Sequence, residues 1–367
     1  MSEQIEPKFN PKELHLPYQK SSQSGPKTIT FTGSAGDYFG IWIVNVILSI
    51  VTIGIYSAWA KVKRETFFKN NTLVGETGFG YHATGIQIFK GRLIAFFILV
   101  GINIVAAFFP IISVAIFVIL IFLIPLIINN ALRFSARVTS FRNIRFNWHG
   151  TYWKSFWFFV IAPLISILSL GTLMPLISKA YYTYFARSHS YGKSNFSCEP
   201  RVKDYYFAFG VGVILPMLFV FIAFSIVIGT LGAFTFPVLD NGGDFGSTAG
   251  SVVPLILIFA VALGASVYRI LCRNLMMRSL ALHDVAIFGS EINPIRYVWI
   301  NVSNIILIIL SVGLLIPWAT VRAYKYLSNC SKIKITGDLE KFIDEARDNK
   351  SSFGEELAEM EGIEVTI

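Results

Sequence analysis

From Leu93 to Leu132 the chain runs 40 residues without a single charged side chain. At 1.5 Å rise per residue such a run would make a helix of about 60 Å, twice the roughly 30 Å hydrocarbon core of a bilayer. Pro110 stands near its midpoint, so the run reads as two helices in a tight hairpin. Further apolar runs cover Phe39–Ala60, Ser155–Ser178, Tyr205–Leu231, Val252–Leu271 and Tyr297–Val321. With 54% hydrophobic and 14% charged residues, and a mean hydropathy of +0.60, the chain lies outside the range of soluble domains, which carry roughly 25% charge. It reads as a polytopic membrane protein.

Three of the apolar runs carry the same punctuation. Ser49–Lys63, Ser166–Ala180 and Ile308–Arg322, aligned without gaps, place a hydroxyl at Thr52, Ser169 and Ser311, and a glycine two residues on at Gly54, Gly171 and Gly313. Four residues further stand Ala58, Pro175 and Pro317. Glycine takes the left-handed conformation that ends a helix, and proline suits the first turn of the next, where its missing N–H is no loss. Each copy therefore encodes helix, break, helix.

Charge decides how these segments meet the membrane. The basic clusters 61–92, 133–154, 179–203, 269–296 and 322–334 flank the apolar runs, whereas the loop 232–250 holds Asp240 and Asp244 and no lysine or arginine. If every broken run spans, there are seven crossings and the clusters divide between both faces. If each broken run returns to the side it entered, four crossings remain and all the clusters share the cytoplasmic side, as the positive-inside rule favours. Trp42 and Trp59, 17 residues apart, mark the interfaces and argue for spanning.

The fold expected is thus an all-α polytopic membrane protein with three repeated helix-break-helix units, four crossings plus three re-entrant segments, and short cytoplasmic β-strands; seven crossings are the alternative. Strand-like alternation is confined to Lys27–Phe31, Thr77–Tyr81, Asn143–Trp148, the stretch at Asn195-Phe196, Val285–Phe288 and Lys332–Thr336. The organisation expected is a flexible tail over 1–27, unit 1 over 28–142 with a helical hairpin at 93–132, unit 2 over 143–284 with a hairpin at 205–271, a partial unit 3 over 285–337, and an acidic tail over 338–367. Both termini are expected in the cytoplasm. The acidic tail holds ten acidic and three basic residues, so the membrane part is more basic than the net charge of +9 indicates.

The residues Gly33, Tyr38-Phe39, Ile41-Trp42, Asn45, Thr52–Tyr56, Trp59–Lys61, Asn71-Thr72 and Gly91 resemble the opening of the YjgN-like bacterial inner-membrane proteins. The resemblance is strongest over residues 29–98 and continues in weaker copies to about residue 340. It implies an inner-membrane location and no catalytic residue. Position 58 is alanine, where the third copy reads Pro317-Trp318-Ala319.

Chemistry is sparsely written. The five histidines fall apart in polar segments, the cysteines Cys198, Cys272 and Cys330 form no metal-spaced pair, and no nucleotide, protease or hydrolase motif is present. An enzyme, a metal site and a cofactor are not expected. Nucleic acid is not expected as a partner, because the basic residues hug the ends of apolar runs. A homo-oligomer is compatible with the sequence, which carries no mark of one. Two readings of function follow. In the first, Asn45, Tyr56, Asn103 and Asn304 line a path through which a transporter or channel moves a small solute; the same residues otherwise serve as interhelical hydrogen-bond partners. In the second, a non-transporting membrane module binds anionic lipid or a protein partner through a basic cytoplasmic face, with Lys61, Lys63, Arg64, Arg133 and Arg137 at the lipid headgroups.

Overall fold

The structure, a computed structural model, describes residues 26–235, 245–282 and 285–337. The expected acidic tail, the loop residues Asp240 and Asp244 and all but the end of the N-terminal tail lie outside the described residues.

Strand pairs and helix pairs alternate along the chain. β1 (Lys27–Phe31) leads into α1 (Ala35–Val51) and α2 (Ser57–Asn70), and then come β2 (Thr72–Val74) and β3 (Thr77–Tyr81). The first long helix pair is α3 (Gly85–Phe108) and α4 (Pro110–Arg137), followed by β4 (Thr139–Phe141) and β5 (Ile144–Trp148). Next, α5 (Tyr152–Phe156) passes through a π-helical stretch (Trp157–Ile161) into α6 (Ala162–Leu168), and α7 (Met174–Arg187) returns. The π stretch precedes Pro163, whose ring would otherwise press on a carbonyl of the preceding turn. β6 (His189–Tyr191) and β7 (Ser194–Cys198) lead to the second long pair, α8 (Val202–Thr235) and α9 (Phe245–Arg278). β8 (Leu280–Leu282), β9 (Ala286–Ser290), α10 (Pro294–Leu310), α11 (Ile316–Asn329) and β10 (Ser331–Ile335) complete the chain.

All ten strands join one closed antiparallel barrel, in which each strand pairs with its neighbours in sequence and β10 closes on β1 through Lys27↔Ile333 and Thr28↔Lys332. This overturns the all-α expectation. The strands were legible one at a time as short edges, but alternation makes them collective: their inward side chains share one core. Val74, Phe141, Ile144, Tyr191 and Leu282 are buried in it, with Phe79, Phe146, Phe196 and Phe288 packed against them. Rings meet across strands, Phe79 with Phe141 at 5.0 Å and Phe146 with Tyr191 at 5.1 Å. The Tyr191 hydroxyl donates to the Phe141 carbonyl at 2.9 Å, so the interior is filled by side chains.

Four of the five helix pairs spring from a clasped pair of strands. The residue after the outgoing strand donates its N–H to the residue before the returning one: Thr32 to Asn71, His82 to Val138, His149 to Ser188 and Glu291 to Cys330, at 2.7–3.0 Å. Successive pairs are joined by tight turns in which Gly75, Arg142, Asn143 and Gly192 take positive φ. Because every outgoing strand is odd-numbered and every returning one even-numbered, all the helices leave the same end of the barrel, and the turns lie at the other. The chain enters at β1 and leaves at β10 on the turn end. Seven crossings are incompatible with this arrangement, since they would put neighbouring strands of one barrel on opposite faces of the membrane.

Around the helical end, α2 packs on α3, α4 on α5, α7 on α8, α9 on α10, and α11 returns to α1. Among the described residues four helical segments are long and apolar enough to cross a bilayer: Gly85–Phe108, Ile112–Arg137, Val202–Ile226 and Pro254–Arg278. The apolar helices α1, α5–α6 and α10 are 17 residues each, about 25 Å, and turn back at their glycines.

Candidate functional site

The three breaks have one construction. The hydroxyl residue caps the outgoing helix, and the next residue takes positive φ, at Ile53 (49°), Leu170 (49°) and Val312 (51°). Gly54, Gly171 and Gly313 follow at 85°, 81° and 89°. The glycine N–H then bonds the carbonyl five residues back, at Ser49, Ser166 and Ile308, over 2.7–2.8 Å. The hydroxyl itself bridges the break. Thr52 Oγ1 donates to Leu48 O at 2.7 Å and accepts from Tyr56 N at 2.9 Å. Ser169 Oγ donates to Ser166 O and accepts from Leu173 N at 3.3 Å; Ser311 Oγ donates to Ile308 O and accepts from Leu315 N at 3.1 Å.

Together with the remaining turn bonds, every backbone N–H from 52 to 57, from 169 to 174 and from 311 to 316 is satisfied within its own hairpin. Irregular backbone in an apolar surrounding is tolerated only when its polar groups are paired, and here it is. The side chains agree with that: Ile53 is 94% exposed, Leu170 92% and Val312 93%. The side chains at the tips are apolar. The position four beyond each glycine is buried, at Ala58, Pro175 and Pro317, which explains why only small residues and proline stand there.

The polar positions part company. Asn304 is buried between α10 and α11, where its Nδ2 donates to Ala319 O at 3.0 Å and its Oδ1 accepts from Arg322 at 3.0 Å. Asn45 is equally buried, but its Oδ1 has no hydrogen-bond partner. Asn103 lies exposed on α3 and bonds the Leu99 carbonyl of its own helix. Tyr56 stacks on Trp59, with Lys63 Nζ 5.6 Å from its ring. Of the four, only Asn45 lines the cavity between α1, α2 and α3.

Basic residues do gather, on α2, on the first turns of α3 and at the end of α4. Arg64 pairs with Glu65 at 2.9 Å, and Arg133 reaches Asn130 at 3.4 Å. Acids at the barrel rim are already matched, Glu199 with Arg187 at 2.6 Å and Glu291 with Lys332 at 2.7 Å, the latter contact holding the Glu291 carboxyl below its usual pKa. Lys61 and Arg137 have no ion pair among the described residues. Between α1, α2 and the start of α3 lies a cavity of about 440 Å³ that brings Asn45 together with Lys61 and Arg64. It also includes Trp42, Ser57 and Arg92, three residues that sequence reasoning did not assign to a site. Arg92 donates to Ser57 Oγ, fixing α3 to the end of the first hairpin. Only the three-dimensional return of α2 onto α3 joins these positions, so no local pattern announces them.

Buried asparagines on α4 and α9 are internally matched, whereas Thr183 Oγ1 on α7 and Tyr205 Oη on α8, like Asn45 Oδ1, have no hydrogen-bond partner among the described residues. Asn129 Oδ1 accepts from Trp148 Nε1 and Ser155 Oγ, and Asn274 bonds Ser290 and the backbone of Ile292. Among the described residues no group of three or more His, Cys, Asp or Glu side chains is placed to hold a metal ion.

Comparison with known proteins finds relatives named as inner membrane proteins. Inner membrane protein YjgN of Salmonella typhimurium is 24% identical over 359 residues, covering 85% of this chain and 89% of the relative. Inner membrane protein YjgN of Escherichia coli K12 is 29% identical over 153 residues, 41% of this chain and 38% of the relative. No solved structure matches. The family model described as "Bacterial protein of unknown function (DUF898)" matches residues 26–360. With that match and its four long apolar helices, the chain is an integral membrane protein belonging to the DUF898 family.

Proposed function

We propose that the protein is a non-transporting, non-enzymatic module of the bacterial inner membrane that binds anionic phospholipid through a basic belt on the barrel side of its helices. One observation carries this reading: all the helices leave one end of a single closed barrel, so the basic residues that lie within nine residues of the barrel end of α2, α3 and α4 share one side of it. Lys61, Lys63 and Arg64 on α2, Arg133 and Arg137 on α4, and Arg92 on α3 belong to this set. Each basic charge near an anionic lipid surface is worth about 1 kcal/mol. The same belt supports a cytoplasmic barrel with both termini on that side, by the positive-inside rule. The recurrent strand, helix pair, strand order supports reading the chain as an internal repeat.

A solute path has less support. The filled barrel core weighs against passage along its axis, and of Asn45, Tyr56, Asn103 and Asn304 only Asn45 lines the described cavity. Reconstitution with spin-labelled lipids tests the proposal. Phosphatidylglycerol should associate in preference to phosphatidylcholine, and neutralising Lys61, Lys63, Arg64, Arg133 and Arg137 together should remove most of the preference. Equal association of both lipids, or solute flux into protein-containing vesicles that Asn45→Leu and Asn304→Leu abolish, would overturn it.

A further inference from the structure

We infer that the cavity between α1, α2 and α3 is a discrete site for one phosphodiester headgroup, a step that rests on the lipid-binding reading but claims more. A belt of surface charge attracts many lipids loosely. A cavity with a buried, unsatisfied polar group selects one.

Four features converge on it. Lys61, Arg64 and Arg92 reach the cavity from two helices, and the neighbouring carboxylate, Glu65, is already bonded to Arg64. The site therefore keeps a net positive charge, which suits a phosphate. Asn45 is 7% exposed and its Oδ1 lacks a partner. A buried carboxamide oxygen left without a donor keeps its desolvation cost uncompensated, so a ligand that supplies a hydroxyl there offsets that cost.

The third feature is the equivalent position in the third hairpin. Asn304 is fully paired by Arg322 and Ala319, so the open acceptor at Asn45 is not a requirement of the hairpin itself. Fourth, the wall is graded. Trp42, Val46 and Ile50 continue along α1 from the basic end toward the exposed apolar tip at Ile53. A headgroup held at Lys61 and Arg92 would lay its acyl chain on that apolar strip. A volume of about 440 Å³ falls within the usual size of ligand sites, roughly 300–1,000 Å³.

The full-length protein in nanodiscs, released into mild detergent and weighed by native mass spectrometry, tests the site with phosphatidylglycerol, phosphatidylcholine and inorganic phosphate as probes. One phosphatidylglycerol should remain on each chain, and phosphatidylcholine should not. Asn45→Leu and Arg92→Gln should each cut retention at least tenfold, and Arg92→Lys should restore part of it. Retention unchanged in both variants, with belt selectivity in the spin-label assay intact, would overturn this site alone. Loss of both retention and selectivity in the unaltered protein would overturn the lipid-binding reading beneath it. If inorganic phosphate displaces phosphatidylglycerol at equal concentration, the site recognises free phosphate and the lipid assignment fails.

Discussion

Asn45 and Asn304 hold matching positions in the first and third hairpins, nine residues before the glycine that turns each one. Both are buried, yet Asn304 spends its carboxamide on Arg322 and Ala319 while Asn45 leaves its oxygen unpaired. The surrounding residues account for the difference. Arg322 also donates to Ser303 Oγ at 2.8 Å and lies 5.0 Å from the Trp318 ring, so it is held over α10 from two sides. In the first hairpin the aligned residues are Lys63 and Val44, and Lys63 turns instead to Tyr56. One frame thus carries a completed hydrogen-bond network in one copy and an open acceptor beside a cavity in the other.

The largest expected effect separates the two asparagines. Asn304→Leu strands the Arg322 guanidinium and a backbone carbonyl, and should cost about 1.5–3 kcal/mol, the range for hydrogen bonds to charged groups. Asn45→Leu removes an acceptor that has no partner, so its effect on stability should stay within about 1 kcal/mol. Thermal unfolding in one detergent measures both. Equal falls in Tm would mean that Asn45 is bonded in the folded protein, and the contrast between the hairpins would be lost.

The breaks give the next effects, and these should be alike across copies. Thr52→Val, Ser169→Ala and Ser311→Ala each leave an N–H of the returning helix unsatisfied, at a cost of about 1–2 kcal/mol. Thr52 should cost most, because its two bonds are the shortest of the three sets. Gly54→Ala should cost about 1 kcal/mol, from the left-handed backbone alone, since no atom lies within 4 Å of the added methyl group. A fall in Tm for Ser311→Ala with none for Thr52→Val would show that the copies share a shape without sharing its energetics.

How far the sequence reached can be judged from these same elements. The breaks were legible because glycine, hydroxyl and proline act locally, within five residues. The five-residue strands were legible in part, as at Lys27–Phe31 and Thr77–Tyr81, through period-two alternation. Their three-residue partners β2, β4, β6 and β8 are too short to show a period. Closure was beyond reach, because β1 and β10 meet from opposite ends of the described chain. Of the candidate site, Asn45, Lys61 and Arg64 were singled out for separate reasons. Arg92 and Ser57 were not, as their contact spans 35 residues and depends on how one helix pair leans on the next.

The smallest expected effect is also the most discriminating. Lys63→Arg gives the first hairpin the guanidinium that Arg322 supplies in the third, at the same separation of 18 residues from the asparagine. A planar, multi-donor group can reach a carboxamide oxygen that a lysine resting near Tyr56 does not. Val44 offers no counterpart to the Ser303 hydroxyl, so the gain should be below about 1 kcal/mol, a slight rise in Tm. Filling the open acceptor should at the same time weaken phosphatidylglycerol retention, because protein and ligand would compete for one oxygen. A rise in Tm without loss of retention would place the lipid elsewhere. Loss of retention without any rise in Tm would mean that the substitution acts through the charge of the cavity, and that the asparagine is a bystander to it.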